Sequence, residues 1–174
     1  MIETARLFLR PPEPRDFDAL HAMWSDPLVM RDLGPVKSTA HSRATIARHL
    51  GYGPSHGLGF HAVERRADGA VIGFCGLKPG APDTPIADEI EIGWMFARAH
   101  WGQGFAREAA SACLDWVWTN RDVPRVVAIT AACNIASRTL MERLGMAWVA
   151  DFEHAIHAAG SRLRTSVAYA IDRA

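Results

Sequence analysis

The stretch from Glu89 to Trp116 constrains this chain more than any other. Glu89-Ile90-Glu91-Ile92-Gly93-Trp94-Met95-Phe96 reads as a strand that runs into His100-Trp101-Gly102-Gln103-Gly104-Phe105-Ala106, beyond which Phe105, Ala109, Cys113 and Trp116 recur at helical spacing. A strand delivered through two glycines into a helix aims unpaired backbone N–H groups, and the positive end of the helix dipole, at one point. Such a point suits a phosphate-rich ligand. Gly102 and Gly104 remove side chains where a pyrophosphate would approach, and Ala106 keeps the first turn narrow. The same glycines would also serve a bare strand-to-helix turn. Two other phosphate loops do not fit: the G-x-G-x-x-G fingerprint lacks its third glycine, and no G-x-x-x-x-G-K-[ST] run occurs.

The rest of the chain supplies a sheet and helices around this unit. Residues 6–10 alternate charge with bulk before Pro11-Pro12 and read as a first strand. Phe17, Leu20, Met23 and Trp24 mark a helix over 14–24, and a second is expected over 38–50, with Ser38 or Thr39 as N-cap and Gly51 as its stop. Residues 58–65 and 70–77 flank Asp68-Gly69 as an antiparallel pair. The proline-rich stretch 79–85 is an exposed connection. A strand over 125–130 precedes a helix carrying Ala136, Leu140 and Leu144 on one face and ending at Gly145, and closing strands are expected over 147–152 and 164–171. The expected fold is α/β of the α+β type: one domain over 1–174, with a mixed, mostly antiparallel central sheet of about seven strands and two helices from each half.

Composition narrows the partners. Lys plus Arg and Asp plus Glu are 19 each, so no net field draws the chain onto nucleic acid or an anionic membrane. Cys75, Cys113 and Cys133 are odd in number and set among apolar neighbours, which suits free core thiols in a reducing compartment. With no signal-peptide core at the start and no apolar run of about 18 residues, the expected location is the cytoplasm. His154 and His157 lack an acidic third ligand, so no metal site is expected and both are read as loop residues. His61 and His100 are candidates for lining a substrate slot, Trp24 for the slot's mouth, and Trp116 for the core.

The run from Glu89 to Ala109 closely resembles the acyl-CoA-binding motif of the GNAT superfamily of N-acetyltransferases. Asn134-Ile135-Ala136-Ser137-Arg138 and Glu142-Arg143-Leu144-Gly145-Met146 look like that family's next motif. Thr4-Ala5-Arg6-Leu7-Phe8-Leu9-Arg10, with the tryptophan before Gly102, is similar to the branch containing the ribosomal-protein N-terminal acetyltransferases. Trp101 stands where many members carry Gln or Arg. The resemblance implies acetyl transfer from acetyl-CoA to a primary amine, on a protein N-terminus or a small molecule such as an amino acid, polyamine or antibiotic. A homodimer is compatible with it. The other reading is a non-catalytic acyl-CoA-binding module.

By the same resemblance, the N–H groups of Gly102, Gln103, Gly104, Phe105 and Ala106 would hold the CoA pyrophosphate. The backbone of Trp94, Met95 and Phe96 would pair with the pantetheine arm in a gap between this strand and the one over 125–130, and an N–H near Trp94 or Met95 would polarise the thioester carbonyl. Asn134 either meets the pantetheine or serves as a helix N-cap. Attack on a thioester requires a neutral amine and therefore a base. Glu91 is the first candidate and Glu89 the second, since carboxylates two apart on a strand share a face and their repulsion would raise one pKa. The family's proton-donating tyrosine is replaced by Met141, which leaves Ser137 to assist the leaving thiolate.

Overall fold

The computed structural model describes residues 1–173. In chain order it contains β1 (Ile2–Glu3), β2 (Leu7–Arg10), α1 (Phe17–Ser25), α2 (Pro27–Met30), α3 (Thr39–His56), β3 (Gly59–Arg65), β4 (Val71–Pro79), β5 (Ile90–Phe96), α4 (Phe105–Asn120), β6 (Arg125–Ala131), α5 (Ile135–Arg143), β7 (Ala147–Glu153) and β8 (Thr165–Asp172). The strands form one sheet in the order β1-β2-β3-β4-β5-β6-β8-β7. Every neighbouring pair is antiparallel except β5 and β6, which run parallel. This is the expected mixed, mostly antiparallel architecture, with one more short strand at its start.

Two cores form because β5 alternates its side chains between opposite faces. Ile92 and Phe96 join Leu77 beneath Ala109, Cys113 and Val117 of α4, with Met141 of α5 beside them. On the other face Met95 and Phe74 pack against Leu20, Met23 and Trp24 of α1 and Val29 and Met30 of α2. Complete burial of such side chains contributes about 1.5–3 kcal/mol each. A third cluster, Ile86 with Val127, Ala168 and Ala170, lies under the connection between β4 and β5. That connection is irregular as expected, and Ile86 near its end is the anchor that the proline-rich stretch concealed.

Several local expectations need correction. The helix expected to stop at Gly51 continues to His56 and is capped by Gly57 in the left-handed conformation at φ 63°. An interior glycine costs only about 1 kcal/mol, and Ser42, Thr45 and His49 hold the helix by a buried face. Asp26, whose side chain caps Leu28 N–H, starts the extra helix α2, whose first residue is the proline that sequence spacing marked only as a stop. Trp24 is 1% exposed, so it is core and not the mouth of a slot. Trp116 packs half-buried against the core. Cys75 and Cys113 are buried, but Cys133 is only half-buried and lies beside the Arg162 guanidinium, 3.1 Å from Nη1. Among the described residues no helix is long and apolar enough to cross a membrane.

Candidate active site

The sheet parts in its middle. β5 and β6 are paired only at Ile90–Val126 and Glu91–Val127, after which the two strands diverge. Gly80 N–H bonds to Glu89 C=O and Ala97 N–H to Ile72 C=O, which fixes the antiparallel ladder between β4 and β5. In such a ladder alternate residues turn their N–H and C=O to the partner strand. Glu91, Gly93 and Met95 therefore bond toward β4, whereas Ile92, Trp94 and Phe96 direct theirs into the gap. Met95 is thus not a backbone partner for anything in the gap, and Ile92 is one that sequence spacing missed.

The gap opens into a cavity of about 520 Å³ lined by Val29, Asp32 and Leu33 from the α2 side and by Phe105, Asn134 and Ser137 from the α4 and α5 side. Since these helices cover opposite faces, the opening passes through the sheet. At one end lies the glycine loop. Gly102 and Gly104 adopt φ 72° and 80°, a left-handed region that a side chain resists. The first backbone bond of α4 is Glu108 N–H to Gly104 C=O. The amides of residues 102–107 donate to no acceptor among the described residues, and all of these residues except Gln103 line the cavity at the dipole-positive start of α4.

Side chains brace this loop from outside. Trp101, half exposed, donates its Nε1–H to Phe96 C=O at 2.7 Å, tying the loop to the end of β5 and occupying that carbonyl. Arg6 donates to Gln103 C=O at 3.0 Å and to Glu108 at 2.6 Å, and stacks over the Phe105 ring at 4.4 Å. Arg107 and Arg143 also line the cavity and form no ion pair among the described residues. They are cations free to meet a phosphate. Their positions, beside the glycine loop and in the second motif, were visible in the sequence, but their convergence required the fold.

On the far wall, Asn134 is 6% exposed. Its Oδ1 accepts the Ser137 N–H at 3.2 Å as the N-cap of α5, and its Nδ2 donates to Thr130 Oγ1 at 3.0 Å. The N-cap role is therefore filled. Ser137 lines the cavity. Met141, in place of the expected tyrosine, is buried in the α4 core. Tyr169 donates to Glu142, and neither it nor Tyr52 lines the cavity.

At the vertex where β5 and β6 part stands Glu91, 7% exposed. Lys78, its cross-strand partner on β4, donates Nζ to its carboxylate. Burial raises the Glu91 pKa above the ordinary 4.5, against the opposing pull of Lys78 and the Ala81 amide. This differs from the expected repulsion between Glu89 and Glu91. Glu89 precedes the strand, and its carboxylate is gripped by Arg125 of β6 through Nε and Nη2. The raised pKa therefore comes from desolvation.

Among the histidines, His100 lines the cavity, with Nδ1 buried and without a partner, and burial lowers its pKa. His61 instead borders a separate cavity of about 250 Å³ with His49 and Trp116. His154 and His157 lie in the connection from β7 to β8 with rings 5.5 Å apart, and no group of three His, Cys, Asp or Glu among the described residues is arranged to hold a metal ion. From the same connection Arg162 reaches Arg31 C=O at 2.8 Å and the Asp32 carboxylate, linking the two sides of the opening.

Known proteins resemble this chain in sequence and in fold. Residues 6–147 match the Acetyltransferase (GNAT) domain family. The chain belongs to that family. This GNAT acetyltransferase is 33% identical over 144 residues to the Bacillus subtilis protein YkkB, covering 82% of this chain and 83% of that one. Its fold matches an acetyltransferase (GNAT family) from Bacillus anthracis at TM-score 0.81 and 25% identity, over 98% of this chain and 97% of the other. It also shares the fold of RimL, a ribosomal L7/L12 alpha-N-protein acetyltransferase in complex with coenzyme A, at TM-score 0.79 and 17% identity, over 97% and 95%. The chain is an acetyl-CoA-dependent N-acetyltransferase.

Proposed function

We propose that this acetyltransferase passes the acetyl group directly to a primary amine while both substrates are bound. The observation that carries this reading is the meeting of three features in one through-sheet opening: free amides at 102–107, the open edge of β5 at Ile92 and Trp94, and a buried carboxylate at the vertex. Gly102, Gln103, Gly104, Phe105 and Ala106 hold the CoA diphosphate through backbone N–H groups, with Arg107 and Arg143 adding charge. Ile92, Trp94 and the Phe96 N–H meet the pantetheine arm as an added strand would. An N–H of Ile92 or Trp94 polarises the thioester carbonyl.

Acetyl-CoA supplies a thioester whose C–S bond breaks as the amine nitrogen bonds to the acetyl carbon. Glu91 takes the proton that the amine must lose, and its raised pKa suits that task better than that of an exposed carboxylate. Glu89 is held by Arg125 and has no such part. Ser137 hydrogen-bonds the departing sulfur or orders a water that protonates it. Asn134 fixes the start of α5 and thereby Ser137.

The acceptor is a protein N-terminal amine, as for the alpha-N-protein acetyltransferase RimL, or a small-molecule amine. Thiol release from acetyl-CoA with a panel of amines and peptides, with product masses, tests the reaction. One N-acetylated product per thiol released is expected. A burst of acetylated protein, with Cys133 as the half-exposed thiol, would contradict direct transfer.

A further inference from the structure

Strand pairing joins the β1–β5 half of the sheet to the half made of β6, β8 and β7 only at Ile90–Val126 and Glu91–Val127. Past that vertex side chains set the width of the opening, and Arg162 crosses it. From the connection between β7 and β8, Arg162 donates through Nη1 to Cys133 Sγ at 3.1 Å, two residues beyond the end of β6. Its Nη2 donates to Arg31 C=O at 2.8 Å and to the Asp32 carboxylate. Arg31 and Asp32 follow α2, which packs through Val29 and Met30 with Phe74 of β4 and Met95 of β5. The guanidinium thus ties one half of the sheet to the other. Because β5 and β6 run parallel and part from their starts, the Cys133 anchor lies at the wide end of the gap.

The bridge lies on the acceptor's side. The free amides belong to the α4 face, whereas Glu91, Gly93 and Met95 project together from the opposite face of β5, where Met95 meets α1 and α2. An amine that gives its proton to Glu91 arrives from the α2 face, a conclusion that rests on the acetyl-transfer reading above. Arg31 and Asp32 line the cavity on that face. The entrance for the amine is therefore bounded by the vertex, by α2 and by Arg162.

This boundary can open. The side chains of Arg162 and Asp32 are 53% and 18% exposed, so water competes for both charges, and such pairs are weak. Asp32 is not stranded when Arg162 leaves, since Arg31 Nη2 remains 3.2 Å from its carboxylate.

We propose that the Arg162–Asp32 bridge selects the acceptor by size. An amine on a single-residue stem passes within the closed boundary, and a longer chain passes only when the bridge is broken. Arg162 controls access and takes no part in the chemistry.

The test measures initial rates of thiol release with glycinamide and with a tetrapeptide amide of one glycine followed by three alanines. Both carry one α-amine and the same charge, so the ratio of their kcat/KM values isolates length. Arg162→Met and Asp32→Asn break the bridge from its two sides. Each should raise the peptide-to-glycinamide ratio by about fivefold, mainly through KM. Arg162→Lys keeps the charge but cannot reach all three partners at once, and should fall between. Raising ionic strength from about 0.05 to about 0.5 M should raise the ratio in the unaltered enzyme and leave it flat in Arg162→Met. A fall in both rates at an unchanged ratio makes Arg162 a structural cross-link and overturns the size selection alone. A lower ratio in Arg162→Met means that the arginine binds the longer acceptor, and overturns it too. No turnover of either amine, despite CoA binding, overturns the proposed reaction and the size selection with it.

Discussion

The two ends of the opening are built on different principles. At the α4 end the ligand-facing groups are backbone: six amides, two glycines in left-handed geometry and an open strand edge, braced from behind by Arg6 and Trp101. At the other end they are side chains in pairs, Glu91 with Lys78 at the vertex and Asp32 with Arg162 on the α2 side of the cavity. Backbone donors accept any sequence that keeps the turn, so this end can serve one invariant ligand. Side-chain charges can be exchanged one at a time, so the other end is where an acceptor can be chosen.

Substitutions at the two ends should therefore separate chemistry from cofactor affinity. Glu91→Gln should lower kcat by about 10²–10⁴-fold, the usual worth of a positioned base. Its CoA dissociation constant, read by calorimetry, should stay within about twofold; a matching loss of affinity would merge the two ends into one. Gly104→Val should do the reverse. A β-branched residue at φ 80° costs about 1–2 kcal/mol and disturbs the free amides, so CoA should bind about tenfold more weakly or worse, with kcat at saturation much less affected.

The smallest effect concerns pH. Burial raises the Glu91 pKa, so the base is lost as pH falls through a value above the ordinary 4.5. Lys78 opposes that rise. Removing its charge in Lys78→Met should move the acidic limb of the kcat profile up by about one pH unit. An unchanged or downward-shifted limb would mean that Glu91 is not the group that titrates there.

The contrast also explains what the sequence disclosed. The glycine loop is local: two glycines, an alanine and a helical stripe within a few positions announce free amides without reference to the rest of the chain. Glu91 was legible as a candidate because its strand was. Its surroundings were not, because Lys78 lies across a strand pair and Arg125 across the parallel pair. Reading Glu89 and Glu91 as mutually repelling omitted both cations, so it gave an upward shift for the wrong reason. Met95 was separated from Ile92 only by the phase of the β4 ladder, fixed by Gly80 and Ala97. Gly51 misled as a stop because packing along α3, visible in buried Thr45 and His49, outweighs the weak preference of one glycine. Trp24 was placed near the mouth because its helix lies on the acceptor side, although its ring turns inward onto Phe74 at 5.2 Å.

A crystal structure with bound coenzyme A examines the central claim most directly. Diphosphate oxygens should lie within hydrogen-bonding distance of the amides between Gly102 and Arg107, with the sulfur at the vertex beside Glu91. A coenzyme seated in the smaller cavity beside His61, or outside the parted strands, would contradict it.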